Sequence, residues 1–463
     1  MRLTVRRPKL GVRSLVAVVA STAVAAVPLA GSGGSTALAA PLTSSAVSGT
    51  VNWWAWSPTD TATADAEIAA FNKVYPNIKV VFKLISIPNW VATLRPALLS
   101  GQGPDIFDMQ PGAYVQEFNS FALNAVPMAE AALGSNWQSK VAPSGVSGLT
   151  YDGKLTGLSI GSVYAGSLWI NEGLFQKYSL TAPTTLAQWV HVCQVFKSHN
   201  QGCFVQGASQ EGFDQDTLQS IANSVKPGLW TDASKGTAKW SDPGIVKTLA
   251  IWKELFSDGV MQPGALGYLQ YPDANNDFLT GKDAMIMNGT WYMVNTTEAG
   301  IASGQSAAGM SSPKPFVALP IQFPDVAGLG NKSEMYGDAD WGLSVYTHSK
   351  NIPAAEKFVE WLTSSTAGQQ SVANQLDDLP ALKSISPNFN QIKLVDPKVQ
   401  LGAIESLIKE VGNVTEPRES LLGADVQNAI LTAAESVATG SATPQKAAET
   451  LQSAAVAAGE TFK

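Results

Sequence analysis

Across 463 residues the chain has only two cysteines and three histidines, and 14% of its residues are charged. Each shortage excludes something. Two cysteines, Cys193 and Cys203, cannot build a disulfide-dense scaffold or a four-cysteine zinc site. Histidines at 191, 199 and 348 leave little for metal or acid–base chemistry. No Gly-x-Ser-x-Gly elbow, phosphate-binding loop, His-Glu-x-x-His or dinucleotide glycine fingerprint occurs. Past residue 13 there is no basic run. The net charge of −7 becomes −12 once Arg2, Arg6, Arg7, Lys9 and Arg13 are removed. An acidic chain of this kind argues against nucleic acid and anionic membrane surfaces as partners.

The basic "MRLTVRRPKLGVR", the apolar "SLVAVVASTAVAAVPLA" and the small-residue "ALA" before Ala40 predict a signal peptide over 1–39 and export. A membrane anchor is the alternative, but the apolar run is short and alanine-rich. Residues 40–47 read as a flexible lead-in. "LAGSGGS" has the form of a lipoprotein box with Ser32 where the lipidated cysteine would stand, so the lipid anchor is in doubt. Outside the cytoplasm, Cys193 and Cys203 read as a disulfide closing a short loop. A metal pair with His191 and His199 is the other reading, and its spacing fits no structural zinc pattern.

What the chain has is hydrophobic patterning and tryptophan. "SGTVNWWAW" reads as a strand, and "TADAEIAAFNKVY" as a helix with Ala64, Ile68, Phe71 and Val74 on one face. "IKVVFKLI" is a second strand, "NWVATLRPALLSGQG" a helix and "PDIFDMQ" a short buried strand. Strand, helix, strand, helix, strand predicts an α/β fold with a parallel sheet. Thr184 or Thr185 and Asp242 are candidate caps of two middle helices, and the tail from about residue 400 reads as helical.

Three aromatic segments lie beside small or polar residues: "NWWAW", "MNGTW" and "GDADWG". A sugar ring has an apolar face that suits indole and a rim of hydroxyls that suits Asp, Asn and Gln. Trp189, Trp252 and Trp361 fall in helical patterns and read as core. Strand alternation puts Trp54 and Trp56 on one face and Trp53 on the other, which makes Trp56 a ligand platform at the strand's end. Paired carboxylates at Asp377-Asp378 and at Asp338 and Asp340 keep a carbohydrate-active enzyme as an alternative.

Four segments in order resemble the carbohydrate-binding group of extracellular solute-binding proteins of ABC transporters, which includes maltose-binding protein. They are "LLSGQGPDIFDM", "YDGKLTGLSIGSVYAGSLWINEGLFQKYSLTAPTTLAQW", "FLTGKDAMIMNGTW" and "GLSVYTHSKNIPAAEKFVEWLTSSTAGQQ". The resemblance implies two α/β lobes with a hinge and an interlobe ligand cleft. Lobe one would be 48–158 plus 345–395, and lobe two 159–344 plus 396–463.

The resemblance also implies a sugar, specifically an oligosaccharide, as ligand, ABC permease membrane subunits as partners, no cofactor and no metal, no catalysis, and a monomer. A non-sugar solute is a second possibility. A phosphate ligand would want cleft arginines, and the candidate loops carry none. The expected ligand-binding residues are Trp56, Ser57, Gln110, Tyr114, Tyr164, Asn288, Trp291, Asp338, Asp340 and Trp341. Trp291 is the best match, through Gly289-Thr290-Trp291. Asp105 and Lys282 read as structural.

Overall fold

The computed structural model describes residues 47–58, 61–412 and 414–463. The expected signal peptide over 1–39, Ser32 and nearly all of the 40–47 lead-in lie outside the described residues.

The first sheet has five strands in the order Ile78–Leu84, Gly49–Ala55, Ile106–Met109, Gly342–Val345 and Leu158–Ser159. The three early strands pair parallel, as the strand–helix alternation predicts. Gly342–Val345 then runs antiparallel to Ile106–Met109, so the sheet is mixed. All four residues of Ile106–Met109 are buried, consistent with a central strand covered on both faces. The helix Thr61–Asn72 buries Ala64, Ile68 and Phe71 against this sheet. Val74 departs from the expected face: the helix ends at Asn72, and Val74 is 47% exposed.

The second sheet centres on the long strand Gly161–Asn171. Ala318–Gln322, Asp283–Gly289, Tyr336–Ala339 and Leu379–Pro380 all pair antiparallel to it, and Gly202–Val205 lies parallel beside Asp283–Gly289. Helices Leu186–Ser198, Phe213–Val225, Pro243–Ser257, Ala424–Ala438 and Pro444–Ala457 pack around one side, where Trp189, Trp230, Trp240 and Trp252 are buried. A third core, around Trp169, Phe278, Tyr292 and Ile404, fills the other side. The caps are those the sequence offers. Thr185 accepts from the Gln188 amide, and Asp242 accepts from the Gly244 amide ahead of Pro243. The Cys193–Cys203 disulfide joins the Leu186–Ser198 helix to the Gly202–Val205 strand. His199 stacks on Tyr178 at 4.6 Å between ring centres.

The chain passes between the sheets three times. Leu158–Ser159 is in the first sheet, and Gly161 begins the second. Tyr336–Ala339 is in the second, while Gly342–Val345 is in the first, so this passage falls near residue 340. The third is a whole segment. Leu379–Pro380 pairs with Gly161–Asn171, Leu382 bridges back to Val141, and Leu394 packs with Trp169 and its neighbours. Among the described residues no helix is long and apolar enough to cross a membrane.

Candidate functional site

The first strand ends in a turn held by one buried carboxylate. Asp108, fully buried, accepts from the Trp53 indole nitrogen at 3.1 Å and the Trp56 amide at 3.0 Å. Burial raises the Asp108 pKa well above the ordinary carboxylate range. Val51, Trp53 and Ala55 face the core, while Trp54 is half-buried on the opposite face beneath the Lys83 ammonium, 3.9 Å from the ring centre.

Trp56 corrects the sequence reading. It lies one residue beyond the strand, where alternation no longer applies, and it turns into the same buried side as Trp53. Its ring stands edge-on to Trp90 at 4.8 Å, Tyr114 at 5.9 Å and Trp341 at 6.4 Å. Trp341 in turn stacks on Trp53 at 6.5 Å. Trp56 is 8% exposed and Trp341 2%. Both are packed among aromatic rings as part of the first core. Ser57, also buried, donates its hydroxyl to Asp377 at 3.1 Å.

The second side is built on the strand Asp283–Gly289. Gly289 is required by close approach: a Cβ there would fall 2.1 Å from the Trp291 ring and 2.3 Å from the Tyr164 carbonyl oxygen. The Thr290 hydroxyl accepts from the Tyr164 amide at 3.0 Å. Trp291 is half-buried. Its indole nitrogen donates to the Tyr271 hydroxyl at 3.0 Å and to Asn288 Oδ1 at 3.1 Å. Phe213 stands edge-on to both Tyr271 and Trp291. Asn288 is 1% exposed, with its oxygen committed to this network, while its amide nitrogen has no partner.

Asp338 is bound to a turn. One oxygen accepts the backbone amides of Arg418, Glu419 and Ser420 at 2.9, 2.9 and 3.0 Å, and the other accepts the Ser420 hydroxyl at 2.7 Å. It is 6% exposed, and its work is to hold the 418–420 turn. That turn carries an arginine the sequence reading placed in no cleft loop. Arg418 is buried and ion-paired to Asp216 and Glu419 at 2.7 Å each.

The two sides meet electrostatically. Asp340, half-buried, is pushed up to about 8, first by burial and then by the neighbouring Asp377 charge. Burial also raises Tyr271, and the carboxylates of Asp377 and Asp340 add to it. Tyr114 is raised by burial and then by Glu419, Glu211 and Glu117. Glu419 is pushed up to about 7 by burial, against the lowering effect of Arg418. Tyr164, half-buried, is raised by burial and then by Asp338, against a hydrogen bond with Ser162.

Gln110, half-buried, precedes the loop at Gly112, where a Cβ would fall 2.6 Å from the Glu419 carbonyl oxygen. The two halves touch there. A groove of about 470 Å³ beside this contact, lined by Gln116, Glu117, Leu421 and Asp425, contains no aromatic residue.

The structure thus gathers Ser57, Tyr114 and Asp340 on one side, backed by Trp56 and Trp341, and Trp291, Tyr164 and Asn288 on the other. Phe213, Tyr271, Asp377, Arg418 and Glu419 join them without having been singled out as site residues. "EGFDQD" and "LQYPDA" do carry the signal that picked out "MNGTW", an aromatic beside glycine, proline or acid. "EPRES" carries none. Among the described residues no group of three or more His, Cys, Asp or Glu is arranged to hold a metal ion.

A family model described as bacterial extracellular solute-binding protein matches residues 55–369. The galactooligosaccharide-binding protein of Bacillus subtilis (strain 168) is 24% identical over 402 residues, 85% of each chain. A multiple sugar-binding protein of Streptococcus mutans is 26% identical over 322 residues, 67% of this chain and 70% of that one. Among solved structures, the GacH receptor of Streptomyces glaucescens GLA.O superposes with a TM-score of 0.69 at 21% identity, over 90% of this chain and 100% of that one. Maltose-bound MalE3 of T. maritima gives 0.67 at 18%, over 87% and 98%. The fold is therefore the two-lobe α/β architecture of those proteins, and the chain belongs to the bacterial extracellular solute-binding proteins.

Proposed function

We propose that this protein is exported, captures an oligosaccharide between its two lobes without turning it over, and hands it to the membrane subunits of an ABC importer. The observation that carries the reading is Trp291: a half-buried indole fixed by Tyr271 and Asn288, with the charges of Asp377 and Asp340 felt at the Tyr271 hydroxyl that holds it. An aromatic face beside hydrogen-bonding carboxyls suits the apolar face and hydroxyl rim of a neutral sugar. The curated relatives named for galactooligosaccharide and multiple-sugar binding support the same ligand class.

The lobes divide at the three inter-sheet passages, and closure brings the Gly112 loop against the 419–422 turn. Ser57, Gln110, Tyr114, Tyr164 and Asp340 line the cleft with Trp291. Trp56 and Trp341 support it from behind. Arg418 does not turn the site toward phosphate, because Asp216 and Glu419 already neutralise it. The protein acts as a monomer, without cofactor.

Thermal unfolding against a panel of mono- and oligosaccharides tests this. A bound ligand at 100 times its Kd raises stability by about 2.7 kcal/mol. A shift confined to one glycan class, with no new product by chromatography, is the expected result. Product formation, or no shift with any sugar, overturns it.

A further inference from the structure

A ring held at one atom can still pivot about that atom. Trp291 is fixed at its indole nitrogen, and the second constraint on it is Arg418. The guanidinium carbon lies 4.9 Å from the centre of the Trp291 ring and 5.4 Å from that of Phe213. The guanidinium is itself immobile. Nε and Nη2 donate to the two oxygens of Asp216 at 2.7 and 3.0 Å, and Nη1 lies 2.7 Å from Glu419. Its backbone amide donates to Asp338 at 2.9 Å, and the residue is 7% exposed. Asp216 and Phe213 both belong to the helix Phe213–Val225, so counter-ion and neighbouring ring come from one rigid element.

We propose that Arg418 is a positioning residue for ligand binding: its planar cation seats the Trp291 ring and fixes which part of the indole is presented to the cleft. The inference rests on Trp291 being the sugar platform proposed above. Arg418 offers no net charge to a ligand, since two carboxylates surround it. What it contributes is a flat group that packs on an aromatic ring while both edges are hydrogen-bonded, a combination lysine cannot supply. The positioning is set by residues far apart in sequence, and the Asp338 carboxylate ties it to the strand that leads into the second inter-sheet passage.

The test uses the full mature chain labelled with 5-fluorotryptophan, with the Trp291 fluorine resonance identified by its absence in Trp291→Phe. Two variants, Arg418→Lys and Arg418→Met, are compared with wild type. The probe is whichever of maltotriose, xylotriose, galactotriose and chitotriose most raises the wild-type melting midpoint.

Arg418→Lys keeps the ion pair. It is expected to recover most of the midpoint lost in Arg418→Met, yet still to shift or broaden the Trp291 resonance and weaken probe binding at least tenfold. An unmoved Trp291 resonance in both variants overturns the proposal. So does a lysine variant that recovers midpoint, resonance and affinity together, for then the arginine is only half of an ion pair. If Trp291→Phe binds the probe as well as wild type does, the platform reading fails. The resonance in unliganded protein still decides whether Arg418 seats the ring.

Discussion

Asp338 and Ser420 are joined twice, through backbone amide and hydroxyl, and the same carboxylate takes the amides of Arg418 and Glu419. One side chain thus organises the turn that faces the cleft. Asp338→Ala leaves four buried or half-buried donors without their acceptor, and unpaired buried donors cost about 1–3 kcal/mol each before water or relaxation recovers part of it. The expected loss is on the order of 3 kcal/mol, read from the denaturant midpoint. Ligand affinity falls as well, because Arg418 and Glu419 lose their seat.

Trp56 and Trp291 are expected to fail in opposite ways. Trp56→Ala empties a site packed by Trp90, Tyr114 and Trp341, and large-to-small changes of that kind cost about 3–5 kcal/mol. Trp291→Ala, at a half-buried position, is expected to cost about 1 kcal/mol of stability and most of the sugar affinity. Calorimetric melting beside ligand titration separates the two. Equal stability losses would refute the assignment of roles.

Gly289→Ala puts a methyl group into the Trp291 ring and the Tyr164 carbonyl. Ligand affinity should drop by an amount comparable to that in Trp291→Ala, while far-ultraviolet circular dichroism stays native. Wild-type binding in this variant would mean that Trp291 can move without consequence.

Burial raises Asp340 to about 8, Glu419 to about 7 and Asp283 to about 6. Between the ordinary carboxylate range and pH 8 the folded protein therefore binds more protons than the unfolded chain does. Stability then falls as pH rises through that window. Melting midpoints should decline from pH 5 to pH 8, and Asp340→Asn should flatten the upper part of the curve. Asp377→Asn should shift that upper part to lower pH, because Asp377 helps hold Asp340 up.

Reducing Cys193–Cys203 releases a short loop between a helix and a strand, and closure of such a loop contributes about 2–3 kcal/mol. The midpoint should fall accordingly in dithiothreitol and in the Cys193→Ser, Cys203→Ser double variant. None of the proposed cleft residues lies in the closed loop, so affinity below the melting range should hold.

What the sequence reveals is what local periodicity and local chemistry encode. The early strands, the helix faces, the Thr185 and Asp242 caps and the disulfide pair all follow from residues close together in the chain. Strand alternation gives the wrong face for Trp56 because it ends at Ala55, where the backbone turns under the hold of Asp108. Helical periodicity fails at Val74 for the same reason, because the helix ends at Asn72. The antiparallel pairing of Gly342–Val345 with Ile106–Met109 is not legible, since no local pattern tells a short buried strand which neighbour it will meet. Asp377 was visible as one of a carboxylate pair, but its partner Ser57 is 320 residues away. Arg418 sits in a polar stretch of no distinctive pattern, and only the fold brings Asp216, Phe213 and Trp291 around it.

The strand Ile106–Met109 emerges early in synthesis, and its neighbour Gly342–Val345 comes from much later in the chain. The helix Ile352–Ser364, which buries Phe358 and Trp361 against the early strands, comes later still. The amino-terminal third of the described chain thus exposes apolar surface until most of the protein has been made. Folding dominated by such distant pairings is slow. A fragment ending near residue 160 should bind chaperones and aggregate rather than form half of a working receptor.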